Sequence, residues 1–325
     1  MVAFLHTMKV LVTGASGFIG RYLLNELMEH GYEVRALTRK AIKVEGVEAM
    51  KGDITKPSTL QKAFQGVDAV FHNAAYAADY GERIKFYEVN VEGTRNVAEA
   101  CKKNRVERII YTGSAGVYGF PNTNEWITED SPKKPINAYQ ESKLEAEKVL
   151  NEYEDMHISI VRPPLVLGAG AKAAFMLLSK MEEGKLAYIG NGKNYITIAH
   201  PKDVALCLRL ALEKDEKGEI FNVVSFICRI EELYKEIAKQ LGVEEPKKHV
   251  PYFLAYLVAV ISEKFAKEPS LTKFRVKSFG TTRRISCEKA KKKLGYKPGY
   301  DLKATVKDMV EWYKGIKEEG QRASF

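Results

Sequence analysis

The chain has 325 residues, 45% hydrophobic and 29% charged, which excludes a disordered chain and calls for one large domain plus a smaller one. Its net charge of +9 comes from 51 Lys and Arg interleaved with 42 Asp and Glu. The densest basic run, residues 289–293, falls in a helical pattern and reads as a solvated face, so nucleic acid is not an expected partner.

In chain order, residues 1–7 are too short a lead for a signal peptide, and Met8 is a second candidate start. Lys9–Thr13 is a short apolar run ending in glycine, the mark of a buried strand. Residues 20–30 carry Leu23, Leu24, Leu27 and Met28 on one helical face, closed by Gly31. Glu33–Thr38 and residues 49–52 read as the next strands, and residues 58–65 as a helix capped by Ser58. Ala69–His72 is a fourth strand, 83–103 a long helix, 108–111 a fifth strand, 138–153 a helix and His157–Arg162 a sixth strand. This alternation predicts parallel βαβ units: an α/β, Rossmann-type doubly wound sheet over residues 1–163, with ligands beyond the carboxyl ends of its strands. After Pro163 the pattern loosens into helices at 175–183, 201–213 and 233–241, with one strand at 220–224. Residues 164–194 and 225–325 are therefore expected to form a smaller, mainly helical substrate-binding part, with 195–224 folding back onto the sheet.

Four dispersed cysteines (Cys101, Cys207, Cys228 and Cys287) and scattered histidines offer neither a disulfide framework nor metal-ligand spacing, so no metal is expected. No apolar stretch reaches the ~20 residues that span a bilayer, the longest candidate being 250–261. The expected location is the reducing cytoplasm.

Gly14-Ala15-Ser16-Gly17-Phe18-Ile19-Gly20 follows the first strand and opens the first helix. Gly14 permits a tight turn, Gly17 lets backbone N–H groups approach a pyrophosphate, and Gly20 allows close helix–strand packing. A glycine triplet alone fits a plain loop equally well; the strand–turn–helix context favours a dinucleotide site that includes Ser16, Phe18 and Ile19. At the end of the second strand an acid would bind the ribose diol of NAD, but the chain reads Leu37-Thr38-Arg39-Lys40. Arg39 suits a 2′-phosphate, so NADP is preferred over NAD; the alternative is a solvated cation pair. After the third strand, Asp53 is placed to accept from the adenine amino group, with Ile54 beside it; a simple turn carboxylate is the alternative.

Tyr139 and Lys143 are four apart at the start of a helical segment, so phenol and ammonium share a face. A nearby ammonium lowers a phenol's pKa and fits it for proton exchange with an alcohol oxygen. Spacing alone favours a plain exposed helix; the position after the strand ending Tyr111-Thr112-Gly113-Ser114 is what raises the case. Ser114 is placed to hydrogen-bond a reacting carbonyl, or else simply caps a turn.

Together these segments resemble the extended short-chain dehydrogenase/reductase family, also called the NAD-dependent epimerase/dehydratase family. The resemblance runs through the glycine loop, Asp53-Ile54, His72-Asn73-Ala74-Ala75, Asn90-Val91-Glu92-Gly93-Thr94, Ser114-Ala115-Gly116-Val117-Tyr118-Gly119, Tyr139 with Lys143, and Arg162-Pro163-Pro164. It implies that Ser114, Tyr139 and Lys143 form a catalytic triad and that Lys143 bonds the nicotinamide ribose. It also implies that Ala74, Ala75 and Pro163 line the cofactor, that Asn90 helps shape the site, and that two chains pair as a homodimer through helices 83–103 and 138–153.

Two departures bear on substrate. Pro164 and Ile196 stand where sugar-nucleotide members usually carry an asparagine and a diphosphate-binding arginine, although Lys193 is near enough to compensate. The stretches beginning Val250-Pro251-Tyr252 and Pro269-Ser270-Leu271 resemble the branch of 3β-hydroxysteroid dehydrogenases, sterol-carboxylate dehydrogenases and dihydroflavonol reductase-like enzymes. The apolar segment 251–261 reads as a wall or lid for an apolar ligand or as core packing, with shallow membrane contact the lesser alternative. The expected activity is interconversion of a secondary alcohol and a ketone on a small or mainly apolar molecule. The rivals are an NDP-sugar epimerase or dehydratase with tightly bound NAD, and a non-catalytic dinucleotide-binding regulator.

Overall fold

Successive side chains of a strand point to opposite faces, and in this chain both faces are apolar. In β1 (Lys9–Thr13), Val10 and Val12 enter one core and Leu11 the other, so the strand is covered on both sides. The structure, a computed structural model, describes residues 7–40, 42–215, 217–266 and 268–318; the lead before Thr7 lies outside them.

The first half continues with α1 (Phe18–Glu29), β2 (Glu33–Thr38), β3 (Val47–Lys51), α2 (Gln61–Phe64), β4 (Ala69–His72), α3 (Arg83–Phe86), α4 (Gly93–Lys103) and β5 (Arg108–Thr112). The short β6 (Trp126–Ile127), α5 (Ala138–Asn151) and β7 (His157–Arg162) complete it. The second half holds β8 (Leu165–Val166), α6 (Lys172–Glu182), β9 (Tyr188–Ile189), β10 (Tyr195–Ala199), α7 (Pro201–Lys214), β11 (Ile220–Asn222) and β12 (Phe226–Arg229). After these come α8 (Ile230–Leu241), β13 (His249–Val250), α9 (Tyr252–Phe265), α10 (Lys273–Gly280), β14 (Arg284–Ile285), α11 (Glu288–Leu294) and α12 (Leu302–Glu318).

Seven strands form one sheet in the order β11-β7-β5-β4-β1-β2-β3, every pairing parallel. Leu23, Leu24 and Leu27 of α1 and Val204 and Leu208 of α7 cover one face. Val97 and Cys101 of α4 and Ala146 and Leu150 of α5 cover the other. This is the doubly wound Rossmann architecture, and its strand order reverses direction at β1, where the crevice for a ligand opens. A third core gathers Ile196 and Ile198 of β10, Cys228 of β12, and the inner faces of α6, α8 and α12. β10 pairs with β12 and β8 in a separate three-stranded sheet, whereas β11 joins the main sheet beside β7.

Two local readings are corrected, and for residues 251–261 the core-packing alternative is removed. Pro57 opens a 3-10 turn over Pro57–Thr59, so Ser58 sits inside that turn and caps no helix; α2 begins after it. The expected helix 83–103 is interrupted by a π-helical turn, Tyr87–Glu92, between α3 and α4. And α9 buries only Ala255 and Ala259 against α10, leaving Phe253, Leu257, Val258, Ile261 and Phe265 exposed. Among the described residues no helix is long and apolar enough to cross a membrane.

Candidate active site

At the end of β1 the chain turns at Gly14 with φ +66°, where a β-carbon would stand 2.7 Å from Ala74 Cα and N. A β-carbon at Gly20 would fall 2.2 Å from the Gly14 carbonyl oxygen, and one at Gly17 3.1 Å from it. The helix start at Gly17 carries no side-chain cap, so its first N–H groups stay available to an anion. Ser16 and Gly17 are exposed and Phe18 and Ile19 half-buried around this cradle, which fits a dinucleotide pyrophosphate.

Thr13 fixes the opposite wall. Its hydroxyl accepts from Asn73 N and Ala74 N, both at 3.1 Å, and lies 2.8 Å from His72 Nδ1. That holds half-buried Ala74 and Ala75 against the glycine turn. His72 Nε2 lies 2.9 Å from Thr94 Oγ1, which donates to Asn90 O at 2.6 Å. Since the Thr94 proton is committed to that carbonyl, His72 carries its proton on Nε2 and accepts from Thr13. Burial, with Lys143 nearby, pushes its pKa down to about 3, so it is neutral.

Arg39 is exposed at the end of β2, close enough to act on Asp53. Burial opposes the Asp53 charge, but the Thr55 N–H and hydroxyl, at 3.0 and 2.9 Å, together with Arg39 and Lys56, hold its pKa below the ordinary value. Asp53 is thus a turn carboxylate as well as a neighbour of the expected phosphate-binding cation. Ile54 is buried against Gly93, where a β-carbon would meet its Cδ1 at 2.7 Å.

The start of α5 sets the tyrosine. Asn137 caps it by accepting from Gln140 N at 2.9 Å, and Gln140 Oε1 accepts from Ile136 N at 2.8 Å. The Ser142 hydroxyl donates to Tyr139 O at 2.8 Å and accepts from Asn90 Nδ2 at 2.9 Å. Asn90 also grips the Tyr76 backbone, accepting from N at 2.7 Å and donating to O at 3.1 Å. Asn90 is buried, and its amide ties the Tyr76 backbone to Ser142, the residue that bonds the Tyr139 carbonyl.

Tyr139 is half-buried, its ring 6.2 Å from Phe86. Burial raises its pKa and the neighbouring Ser114 hydroxyl pulls it back. Ser114 also accepts from Gly116 N at 3.0 Å, so it caps the following turn while standing beside the phenol. Ala115 N donates to the carbonyl of buried Pro163 at 2.9 Å, tying this turn to the end of β7. Lys143 is buried; its Nζ donates to Thr112 O at 2.7 Å and lies 4.1 Å over the Tyr111 ring. Burial lowers its pKa to about 7, with Glu147 pulling upward. The expected route, an ammonium depressing the phenol's pKa, therefore differs here: the ammonium is turned to the Thr112 carbonyl, and Ser114 is the group that offsets burial at Tyr139. Because the Tyr111 ring lies 5.4 Å from His72, Lys143 and the glycine loop are linked through two packed side chains.

Sequence reasoning missed the support beneath Lys143. Glu147, one further turn along α5, forms a buried ion pair with Arg162, whose Nη1 donates to Tyr118 Oη at 2.7 Å. Tyr118 in turn donates to Asn222 Oδ1 at 2.9 Å. The available signal was the spacing Tyr139, Lys143, Glu147, three residues on one helical face. The four cysteines are buried thiols, and no metal-binding cluster is present among the described residues. A separate cavity of about 660 Å³, lined by Trp126, Phe226, Ile285 and Cys287 among others, includes none of the expected site residues.

The relatives of this chain include dehydrogenases, epimerases and reductases. The protein is an NAD(P)-dependent enzyme of the extended short-chain dehydrogenase/reductase type. It belongs to the NAD dependent epimerase/dehydratase family, whose model matches residues 10–224. The sterol-4-alpha-carboxylate 3-dehydrogenase, decarboxylating, of Mus musculus is 30% identical over 96% of this chain and 92% of its own length. An N-acetyl-alpha-D-glucosaminyl-diphospho-ditrans,octacis-undecaprenol 4-epimerase of Escherichia coli O157:H7 is 30% identical over 86% of this chain and 88% of its own. The 2-alkyl-3-oxoalkanoate reductase of Stenotrophomonas maltophilia (strain K279a) is 29% identical over 90% and 95%. The structure of UDP-glucuronic acid 4-epimerase from Bacillus cereus in complex with NAD superposes with a TM-score of 0.79 at 22% identity, covering 95% of this chain and 99% of that one, which shows the shared fold.

Proposed function

We propose that the protein interconverts a secondary alcohol and a ketone on a small or mainly apolar molecule, preferring NADP(H), with Ser114, Tyr139 and Lys143 as its catalytic set. The observation that carries this reading is the placement of Ser114 beside the half-buried Tyr139 phenol, with buried Lys143 one helical turn on. A bound nicotinamide would supply the hydride donor or acceptor for the carbinol carbon. Tyr139 gives its proton to the carbonyl oxygen in reduction and takes it back in oxidation; burial favours the protonated phenol, the form reduction uses. Ser114 donates to the same oxygen and orients it. Lys143 holds the ribose, and its low pKa eases the transfer of a proton away from the site. Gly14, Ser16, Gly17, Phe18, Ile19 and Gly20 would hold the pyrophosphate, Asp53 and Ile54 the adenine, and Ala74, Ala75 and Pro163 the nicotinamide. Arg39 pairs the 2′-phosphate, supported by its exposure at the end of β2.

The epimerase relative gives a second reading, a sugar-nucleotide enzyme that recycles tightly bound NAD. Against it, apolar Ile196 is buried where a diphosphate-binding arginine would be needed. The two readings separate on purification. The proposal expects protein that comes off the column without nicotinamide and reduces members of a ketone panel only when NADPH is supplied. Stoichiometric bound NAD, with turnover of an NDP-sugar and no added cofactor, would overturn it.

A further inference from the structure

We propose that Arg283 is the receptor for a carboxylate on the substrate, so that the compound handled at Tyr139 is an organic acid; this rests on the alcohol–ketone reading above. Four arginines are buried in the described structure: Arg35, Arg162, Arg209 and Arg283. Three of them hold carboxylates: Arg35 pairs with Glu48, Arg162 with Glu147, and Arg209 with Glu26 and Glu213. Arg283, 9% exposed, has no carboxylate partner among the described residues. Its Nη1 donates to Gly119 O at 3.3 Å and its guanidinium lies 4.7 Å over the Phe120 ring, which leaves most of its five donors unused. Burial lowers its pKa to about 10, with no acidic group opposing the fall, and it stays cationic at neutral pH. A desolvated cation without a counter-charge is costly, and an anionic ligand removes that cost.

Its surroundings connect it to both segments that carry the expected catalytic residues. Gly119 closes the turn that Ser114 opens. The Phe120 ring packs edge-on against Phe274 of α10 at 5.5 Å. That helix is tied through Thr272 and Arg275 to Asp79, whose carbonyl accepts from Asn137, the cap two residues before Tyr139. The backbone of Arg283 is itself held on both sides, its N–H donating to Tyr195 O at 2.9 Å and its carbonyl accepting from Thr197 Oγ1 at 2.8 Å. A planar guanidinium fork matches a single carboxylate. A diphosphate would need further cations, but Arg284 is turned onto the Trp126 and Tyr195 rings and Ile196 is apolar.

The test titrates octanoate and 1-octanol into the NADP-loaded protein by calorimetry, on wild type, Arg283→Gln and Arg283→Lys. The expected result is that octanoate affinity falls at least ~10-fold in Arg283→Gln and less in Arg283→Lys, with octanol affinity unchanged. Should Arg283→Gln fail to fold, Arg283→Lys decides, because it keeps the charge and loses the fork. Octanoate binding that is equal in wild type and variants, or absent from the wild type at millimolar concentration, overturns the proposal. A parallel assay follows NADPH-dependent reduction of 3-oxooctanoate and its methyl ester. There the acid should lose kcat/KM through KM in the variants while the ester keeps its own. Failure of the wild type to reduce either compound counts against the alcohol–ketone reading, while the calorimetry still judges Arg283.

Discussion

Glu147 and Arg162 meet through two parallel contacts, Nε to Oε1 at 3.0 Å and Nη2 to Oε2 at 2.5 Å, with both side chains almost wholly buried. The pair joins α5 to the end of β7, directly beneath Lys143. Removing one partner strands the other charge, so Arg162→Met or Glu147→Leu alone should cost about 3–5 kcal/mol of stability. The double variant should cost clearly less than the sum, read from urea unfolding of all four proteins. Additive losses would mean that the two charges do not act as a pair.

The contact between Gly20 and the Gly14 carbonyl leaves no room for a methyl group. The atoms in the way, Gly14 O and Ala15 C and Cα, are all backbone, so Gly20→Ala must displace the turn rather than a flexible side chain. NADPH affinity, followed by fluorescence, should fall at least ~10-fold, because the turn is what aims the N–H groups. Unchanged affinity would show that the cradle is not the pyrophosphate site.

The proposed preference for NADP rests on Arg39. Wild type should bind NADPH more tightly than NADH, and Arg39→Ala should remove roughly 1–2 kcal/mol from NADPH binding alone, in the range of charge-assisted hydrogen bonds. Equal affinities for the two nucleotides in the wild type would defeat the preference.

His72 makes the fold acid-sensitive. It stays neutral in the folded protein down to about pH 3, whereas an unperturbed imidazole titrates at 6.5. Between those values the unfolded chain binds one more proton than the folded one. Stability therefore falls as pH drops below 6.5, by up to about 1.4 kcal/mol per unit, and above 6.5 this group has no effect. In His72→Asn the denaturant midpoint should lose that part of its slope between pH 6 and 4; an unaltered slope would assign the acid sensitivity elsewhere.

The sheet was legible because its signals are local. β1, β2, β4 and β7 are apolar runs whose ends coincide with the predicted ones, and the glycine loop announces its turn through residue type alone. What escaped prediction depends on distant partners. The bond between Asn90 and Ser142 spans 52 positions, and only the fold shows that Asn90 reaches the helix of Tyr139. The π-turn at Tyr87–Glu92 hides inside a continuous helical pattern. The Ser58 cap failed because Pro57 took the first position of the turn. At Lys143 the four-residue spacing correctly suggested a shared face, but the ammonium's direction is set by the Thr112 carbonyl, on a strand 31 residues earlier.

The most direct test of the account is the turnover of Tyr139→Phe with a ketone that the wild type reduces, measured beside its NADPH affinity. The hydroxyl should matter only to the proton, so kcat should fall by about 10²–10⁴-fold while NADPH binds within about twofold of wild type. Turnover at the wild-type rate would contradict the account, since the proton would then have another source.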